Sequence, residues 1–234
     1  MYLISPTLLL PQGRKPSLWE ELDGFIMRRI FVTGIGTDVG KTVVSAILTE
    51  ALEADYWKPV QAGDLDNSDS IKVERFISNS KTVVHAEGMK LNSPMSPHAA
   101  ADIDGVEIKL SDIKLPETDN NLIVEGAGGL MVPLNDKDLI IDLIAALDIE
   151  VVLVSQNYLG SINHTILSID ALKNRGIKVL GIIFNGETNE ETEKYILNYS
   201  NLKFLGRVKQ HQEINKEVVL SYKSLFCTLS GAEG

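Results

Sequence analysis

A glycine-rich run at residues 34–42, GIGTDVGKT, contains the residue types that cradle a nucleotide phosphate. Its three glycines let backbone N–H groups turn toward an anion without a side-chain clash. Lys41 would contact β- and γ-phosphates, and Thr42 would ligate Mg²⁺. An ordinary glycine-rich turn is the alternative, but a strand, then G-K-T, then a helix is the order that phosphate binding requires. The spacing is one residue longer than the strict motif, because Ile35 stands where the first glycine is expected.

A second lysine lies in the segment WKPVQAG, at position 58. Pro59 stiffens the backbone that carries Lys58, which is expected near the end of a strand. A lysine beside a triphosphate would neutralise charge on a phosphoryl group during its transfer. The segment taken alone favours an ordinary surface lysine.

Two carboxylates are candidate metal ligands. Asp69 is the last of three aspartates in the segment DLDNSDS. This segment is read either as a loop that faces Mg²⁺ or as a solvated turn that caps the next helix. Glu125 ends an apolar strand, where the second motif of a nucleotide site places an acidic residue, and a strand-end turn is the alternative. The glycines at 126, 128 and 129 allow a ligand to approach the backbone closely.

Polar side chains elsewhere in the chain are weaker candidates. His98, in the proline-stiffened loop 93–101, has no nucleophile partner and is interpreted as structural. Ser161 or Asn163 would cap a long helix, and either would also bind a carboxylate at that helix N-terminus. Asn185 follows an apolar run and offers an amide that pairs with an adenine edge.

Apolar runs that alternate with helical periodicity predict the elements that position these residues. The predicted strands are 30–33, 56–60, 122–125, 151–155, 179–185 and 203–208. The predicted helices are 41–54, 70–78, 139–147, 162–175 and 190–199. Strands that are apolar throughout and separated by helices indicate an α/β fold, a mostly parallel sheet with helices on both faces in three α/β/α layers. Ligands of such sheets bind outside the carboxyl ends of the strands, which is where the candidate residues lie.

Composition narrows the class of protein. The chain has 234 residues, 44% of them hydrophobic and 23% charged, and a single core domain is expected at 28–234. Residues 1–27 are expected to be a non-core N-terminal extension, with a short helix at 17–25 that packs on the body as the alternative. The net charge of −10 argues against binding to nucleic acid or to an anionic membrane. One cysteine and the lack of an apolar run long enough to cross a membrane favour the cytoplasm.

Together these segments resemble the dethiobiotin synthetase family, which has a P-loop NTPase-like fold. The family's loop is similar, with the spacing G-x5-G-K-T, and this accounts for Ile35. Further matches follow in order: K-P-V at 58–60, N-S-D at 67–69, S-P-H at 96–98, E-G-A-G-G at 125–129, L-G-x-I-N-H at 159–164 and the strand that ends at Asn185. The resemblance covers nearly all of residues 28–210.

The resemblance implies a reaction. The family joins CO₂ to 7,8-diaminononanoate and closes a cyclic urea, while ATP is hydrolysed to ADP and phosphate. One amine adds CO₂ to give a carbamate, and the carbamate oxygen attacks the γ-phosphoryl group to form a carbamic–phosphoric anhydride. The second amine then closes the ring and releases phosphate. This chemistry requires no protein nucleophile, and catalysis is expected to be positioning and electrostatic stabilisation.

The resemblance also implies roles for individual residues, with ATP and Mg²⁺ as cofactors. Thr42, Asp69 and Glu125 would ligate Mg²⁺. Lys41 and Lys58 would stabilise the carbamate and the transferring phosphate, and Thr37, counted with them as catalytic, would bind the phosphates. The expected nucleotide contacts are Asp38, Val39, Gly40, Lys41, Thr42, Val43, Asp69, Glu125, Gly126, Ala127, Gly128 and Asn185. The expected substrate contacts are Lys58, Ala62, Ser96, Gly128, Gly160, Ser161 and Asn163. Segment 160–163 would come from a neighbouring subunit and meet the substrate carboxylate, so a homodimer is implied, with no nucleic acid or membrane partner.

Two positions depart from the family's pattern. Two places after K-P-V the family usually has a hydroxyl residue that touches the substrate, and here Ala62 occupies that position. The lost hydrogen bond would cost about 1 kcal/mol, which weakens the site without abolishing it. The family also has a proline near the adenine, where this chain has Lys209.

Three other classes are the alternatives. A partitioning-type ATPase, which is a switch that binds partners, carries an additional lysine five residues before the loop lysine, where this chain has Gly36. Synthetases related to the cobyrinate amidases need a glutaminase domain with a nucleophilic cysteine, and Cys227 is the single cysteine of this chain. A nucleotide-binding module without activity is the third alternative, and Ala62 keeps it open.

Overall fold

A six-stranded parallel sheet forms the centre of the molecule, in the order β2-β5-β1-β6-β7-β8. The computed structural model describes residues 28–227, so the expected extension 1–27 and its alternative helix lie outside the described residues. The strands of this sheet are β1 (Arg29–Gly34), β2 (Asp55–Trp57), β5 (Leu122–Gly129), β6 (Glu150–Gln156), β7 (Val179–Asn185) and β8 (Phe204–Val208). A separate parallel pair consists of β3 (Val60–Ala62) and β4 (Met89–Leu91).

Helices cover both faces of the sheet. They are α1 (Lys41–Leu52), α2 (Asp69–Phe76), α3 (Pro97–Asp104), α4 (Ile140–Leu147), α5 (Ser161–Asn174), α6 (Glu190–Ser200), α7 (Lys216–Ser221) and α8 (Lys223–Cys227). Side chains that alternate along β1 belong to two different cores. Ile30 and Val32 pack with α1, α2 and α6, whereas Phe31 packs with α3 and α4. The predicted three-layer α/β/α fold with a parallel sheet is therefore confirmed.

The predicted strand 56–60 is wrong at its carboxyl end. The strand β2 stops at Trp57, and the chain then leaves the sheet at Lys58 and Pro59. Proline has no N–H to donate to a ladder, so it ends the pairing. The carbonyls of Lys58 and Pro59 instead accept from the N–H groups of Gly88 and Met89, at 3.0 and 2.9 Å, which leads into the β3–β4 pair.

Three helices were not predicted. The loop 93–101 contains the start of α3, because Pro97 at its first position suits a helix N-terminus and alanines follow. The helices α7 and α8 lie in a segment that the sequence patterns left unassigned. Asn215 caps α7 by accepting from the N–H of Val218. Among the helices of residues 28–227, none is long and apolar enough to cross a membrane.

The strand order brings the candidate residues to one edge of the sheet. Neighbouring strands β2, β5 and β1 all end at this edge, with Val32 of β1 in register with Glu125 and Trp57 of β2 in register with Val124. The loop after β1, the residue after β2 and the end of β5 therefore converge, as expected for the carboxyl ends of a parallel sheet.

Candidate active site

The loop between β1 and α1 has the backbone of a phosphate cradle. Asp38 and Gly40 adopt left-handed conformations, with φ of 58° and 90°. A side chain at position 40 would place its Cβ 2.2 Å from the Nδ2 atom of Asn185, so only glycine fits there. The helix α1 begins at the next residue, Lys41, and directs its first N–H groups at the loop.

Lys41 is held against this loop. Its Nζ donates to the carbonyl of Gly36 at 2.9 Å. Burial lowers the pKa of Lys41 from its ordinary value, although the nearby charge of Glu125 opposes the shift. The lysine therefore stands inside the cradle, a position from which it would reach a bound phosphate.

Glu125 is the centre of a buried polar cluster. It is 1% exposed, and its Oε1 atom accepts from Thr42 Oγ1 at 2.8 Å and from Lys58 Nζ at 3.1 Å. Its Oε2 atom accepts from the hydroxyl of Tyr56 at 2.9 Å. Glu125 lies within β5 and not at its end, because the strand continues past the predicted 122–125 to Gly129. It is in direct contact with the loop threonine and the second lysine.

Lys58 uses its ammonium group to join the two candidate carboxylates. It is 3% exposed and also donates to Asp69 Oδ2 at 2.6 Å and to the carbonyl of Gly126 at 3.1 Å. Burial alone would lower the pKa of Lys58, but the charges of Glu125 and Asp69 outweigh burial and raise it. Burial would raise the pKa of Asp69, yet the charge of Lys58 holds it below the usual value. Lys58 and Asp69 therefore stay ionised. Because Lys58 is buried, the surface-lysine alternative is wrong.

Asp69 is positioned by two neighbours. Ser68 caps α2 by accepting from the N–H of Ile71 at 3.4 Å, which makes Asp69 the first helical residue. The Oε1 atom of Gln61 accepts from the N–H of Asp69 at 3.2 Å, and its Nε2 atom donates to the carbonyl of Gly63 at 2.9 Å. Gln61 was missed by the sequence interpretation, because a polar residue after K-P-V carries no distinctive pattern. The helix cap and the metal-ligand interpretations of this segment are compatible, since different residues serve the two roles.

The donor set fits Mg²⁺. Thr42, Asp69 and Glu125 present a hydroxyl and two carboxylates, and the two carboxylates already share a cation in Lys58. Mg²⁺ prefers oxygen ligands and is usually held by one or two carboxylates together with substrate phosphates. Within residues 28–227 no group of three or more His, Cys, Asp or Glu side chains is placed so that it could hold a metal ion.

A cavity of about 660 Å³ lies over this cluster. The predicted residues that line it are Thr37, Asp38, Gly40, Lys41, Thr42, Val43, Lys58, Ala62, Asp69, Ser96, Glu125, Ala127 and Gly128. Its other walls come from Val60, Gln61, Pro94, Met95, Pro97 and Val132, which were not predicted. Most of the expected phosphate and substrate contacts are therefore brought to one space.

A second cavity of about 330 Å³ adjoins the loop on the side of β7. Val43, Asn185 and Lys209 are among its lining residues, and Val43 also lines the larger cavity. The Nδ2 atom of Asn185 donates to the carbonyl of Val39 at 3.0 Å. The amide of Asn185 thus braces the phosphate loop while it borders the smaller cavity.

Comparison with known proteins shows which family has a similar sequence. The family model described as an AAA domain matches residues 28–218. The ATP-dependent dethiobiotin synthetase BioD of Christiangramia forsetii is 56% identical over 196 residues, which are 84% of this chain and 94% of that protein. The protein of the same name from Cytophaga hutchinsonii is 53% identical over 197 residues, and these are 84% of this chain and 95% of that protein. This chain belongs to the dethiobiotin synthetase family.

Solved structures share the fold at much lower identity. The cell division ATPase MinD of Pyrococcus furiosus superposes with a TM-score of 0.57 at 12% identity, over 86% of this chain and 98% of that one. The septum site-determining protein MinD of Pyrococcus horikoshii, solved with Mg-ADP, gives a TM-score of 0.52 at 14% identity, over 84% and 86% of the two chains. These likenesses concern the fold alone. The resemblance of the motifs to dethiobiotin synthetase is confirmed, whereas partitioning-type ATPases share only the architecture.

The two departures from the dethiobiotin synthetase pattern lie where the motifs placed them. Ala62 lines the larger cavity, and Ser96 lines the same cavity and brings a hydroxyl to it. Lys209 lines the smaller cavity. Its backbone N–H, which a proline would lack, donates to the hydroxyl of Tyr222 at 2.9 Å. The C-terminal segment therefore supports this wall of the smaller cavity.

Other expected contacts of a dethiobiotin synthetase lie apart from the cavities. Val39 and Gly126 do not line either one, but each contributes a carbonyl that accepts a hydrogen bond, from Asn185 and Lys58 respectively. Segment 160–163, with the predicted contacts Gly160, Ser161 and Asn163, also lines neither cavity. The predicted side-chain cap of α5 is wrong, because Gly160 is the N-cap and no side chain caps the helix. His98 lines a separate cavity beside α3 and takes no part in the cluster.

Proposed function

We propose that this chain catalyses ATP-dependent synthesis of dethiobiotin from 7,8-diaminononanoate and CO₂. The observation that carries the proposal is the cluster of Lys58, Thr42, Asp69 and Glu125 beside a phosphate loop, all facing one cavity. Such a cluster, with its lysine and candidate metal ligands, suits a reaction that brings a negatively charged carbamate and triphosphate together. Identity of 47–56% to proteins named dethiobiotin synthetase supports the same reaction.

The larger cavity would hold the reacting groups. One amine of the substrate attacks CO₂ and loses a proton, giving a carbamate. A carbamate oxygen then attacks the γ-phosphorus of ATP, the bond from that phosphorus to the bridging oxygen breaks, and ADP leaves. The second amine attacks the carbonyl carbon of the mixed anhydride, phosphate departs with the carbon–oxygen electron pair, the amine nitrogen loses a proton, and the cyclic urea closes. Each step creates or moves negative charge on oxygen atoms, so its rate depends on the cations placed around them.

Lys58 and Lys41 would supply this charge stabilisation. The raised pKa of Lys58 keeps the side chain an ammonium, so its role is electrostatic and not that of a general base. Lys41, together with Thr37 and the loop 38–43, would bind the phosphates. Thr42, Asp69 and Glu125 would hold Mg²⁺, which when bound neutralises charge on the phosphate oxygens. Ala127 and Gly128, which line the larger cavity, would border the carbamate and phosphate.

The smaller cavity would receive the adenine. Asn185 lies in its wall and has a side-chain oxygen in addition to the amide group that bonds Val39. Because Val43 borders both cavities, a nucleotide with its phosphates in the loop would have its base on this side. The single cysteine and the use of ATP suit the cytoplasm as the location.

A second copy of the chain would complete the substrate site. Segment 160–163 lies outside the cavities of its own chain. Exposed apolar side chains occur in it and just before it: Tyr158, Leu159, which is completely exposed, and Ile162. Exposed apolar side chains in one place mark interaction surfaces. A homodimer in which the exposed Asn163 of one subunit meets the substrate carboxylate of the other accounts for both features. The side chain of Ser161, which was expected to share this contact, is buried within its own chain. Ser96 would contact the substrate from within the subunit, beside Ala62.

Phosphate release from Mg·ATP by the purified protein tests this function. Release should depend on 7,8-diaminononanoate and bicarbonate, and one cyclic urea should form for each phosphate. Release that is indifferent to the diamine would instead indicate an ATPase switch. An absence of release under both conditions would indicate a binding module without this activity.

A further inference from the structure

Tyr56 contacts the active site from below the cavity. It lies on β2, two residues before Lys58, and it is 0% exposed. Its hydroxyl donates to Glu125 Oε2 at 2.9 Å. Tyr56 does not line the cavity, so it would touch neither the nucleotide nor the substrate.

The two oxygens of Glu125 have different partners. Oε1 accepts from Thr42 and Lys58, which both line the cavity, whereas Oε2 accepts from Tyr56, which does not. A carboxylate held at one oxygen in this way cannot rotate to exchange its oxygens without breaking that bond. Tyr56 therefore determines which oxygen of Glu125 faces the cavity.

The hydroxyl of Tyr56 can act only as a donor to this carboxylate. This hydrogen bond is buried, so water does not compete for either group. Outer partners that orient metal-binding carboxylates are generally important for metal affinity.

We infer that Tyr56 is a positioning residue, which fixes Glu125 so that its Oε1 atom, next to Thr42, is the one presented to Mg²⁺. This inference rests on the proposed function only in taking Glu125 as a metal ligand. A sequence gives no sign of the role, because an aromatic residue in a short apolar strand reads as an ordinary core side chain.

The test is the effect of Mg²⁺ on nucleotide affinity, measured with the fluorescent analogue N-methylanthraniloyl-ADP and the full chain. The ratio of its Kd in EDTA to its Kd in Mg²⁺ reports how well the site holds the metal. Tyr56→Phe keeps the buried ring and removes only the hydroxyl, and it should lower this ratio about tenfold while the Kd in EDTA stays unchanged. Tyr56→Met, which also lacks the hydroxyl, should reproduce the fall.

Tyr222→Phe is the matched control. Tyr222 is also buried, and its hydroxyl also has close partners, His211 Nε2 at 2.7 Å and the N–H of Lys209. Because these partners border the smaller cavity, this change should alter the affinity equally with and without Mg²⁺ and leave the ratio at its wild-type value.

The inference is overturned if Tyr56→Phe has the wild-type ratio of the Kd in EDTA to the Kd in Mg²⁺. It is also overturned if the variant loses nucleotide affinity equally in EDTA and in Mg²⁺ and has a lower melting temperature. It is equally overturned by a ratio of one in the wild-type protein. Formation of the cyclic urea, assayed separately, shows whether the proposed function stands in each of these cases.

Discussion

Lys58 and Asp69 form an ion pair of 2.6 Å in which the carboxylate is partly exposed, and the same ammonium group reaches the fully buried carboxylate of Glu125 at 3.1 Å. One lysine thus compensates two carboxylates that lie on different elements. Its removal would leave two negative charges together in a poorly solvated place.

We expect Lys58→Ala to bind ATP and to lose turnover, because Lys58 acts on charge that develops during transfer. The variant should also unfold more easily, since removing one partner of a buried pair costs about 3 kcal/mol. Isothermal titration with ATP, steady-state phosphate release and thermal unfolding measure the three effects. Lys72→Ala is the control, because Lys72 lies 3.8 Å from Asp69 on the solvent side and does not line the cavity. Near-normal turnover in Lys58→Ala would refute the role given to this lysine.

Gly40→Ala should abolish nucleotide binding while the protein remains folded. The new Cβ would lie 2.2 Å from Asn185 Nδ2, and the backbone at this position has a φ of 90°. Either the phosphate loop or the amide that braces it must shift. Gly105→Ala, at a φ of 66° with no atom within 4 Å of the new Cβ, isolates the backbone strain, which costs about 1 kcal/mol. Titration of both variants with ADP tests the difference, and equal affinities would show that the contact with Asn185 is unimportant.

Asp55 should contribute to stability in a pH-dependent way. Burial would raise its pKa, but hydrogen bonds from Thr118, the N–H of Val83 and Asn120 outweigh burial and lower it. A carboxylate with a lowered pKa in the folded state stabilises the protein above its unfolded pKa of about 3.9, and this contribution is lost as the pH falls below that value.

Asp55→Asn should therefore lower the melting temperature most at neutral pH, and its difference from the wild type should shrink below about pH 4. Asp66→Asn removes the same charge at an exposed position and should have little effect at any pH. Melting curves across this pH range provide the measurement. A difference that did not change with pH would mean that packing, and not ionisation, makes Asp55 important.

Leu159→Glu should separate the proposed dimer and raise the KM for 7,8-diaminononanoate. Leu159 is fully exposed and precedes the segment 160–163. A charge there would be buried without a partner at an interface between two copies. Leu220→Glu places the same charge on an exposed apolar position of α7. Analytical ultracentrifugation distinguishes the two variants, and a Leu159→Glu protein with unchanged mass and KM would exclude this surface as the interface.

Sequence patterns predicted the candidate site where its residues are consecutive or follow an apolar run. The phosphate loop can be predicted because its glycines, lysine and threonine lie close together in the sequence. Glu125 can be predicted because it directly follows an apolar run. Parallel strands then bring such ends together, which explains why Lys58 and Glu125 meet although 67 positions separate them.

Other features depend on contacts that no local pattern records. Gln61 accepts a hydrogen bond from the backbone N–H of Asp69, and the hydroxyl of Tyr56 donates to Glu125. Neither residue type predicts such a partner from the sequence alone. The error at 56–60 has a local cause that was visible, since Pro59 cannot continue a strand in the sheet. The helices α7 and α8 are short and depend on packing against α1 and β8, so periodicity alone was too weak to assign them.

Val43 borders both cavities, and it directly follows Lys41 and Thr42 on the first turn of α1. A synthetic inhibitor that joined a diamine mimic in the larger cavity to a nucleoside in the smaller one would have to bend around this isopropyl group. The length and curvature of the connecting chain would then affect how well such a compound fits.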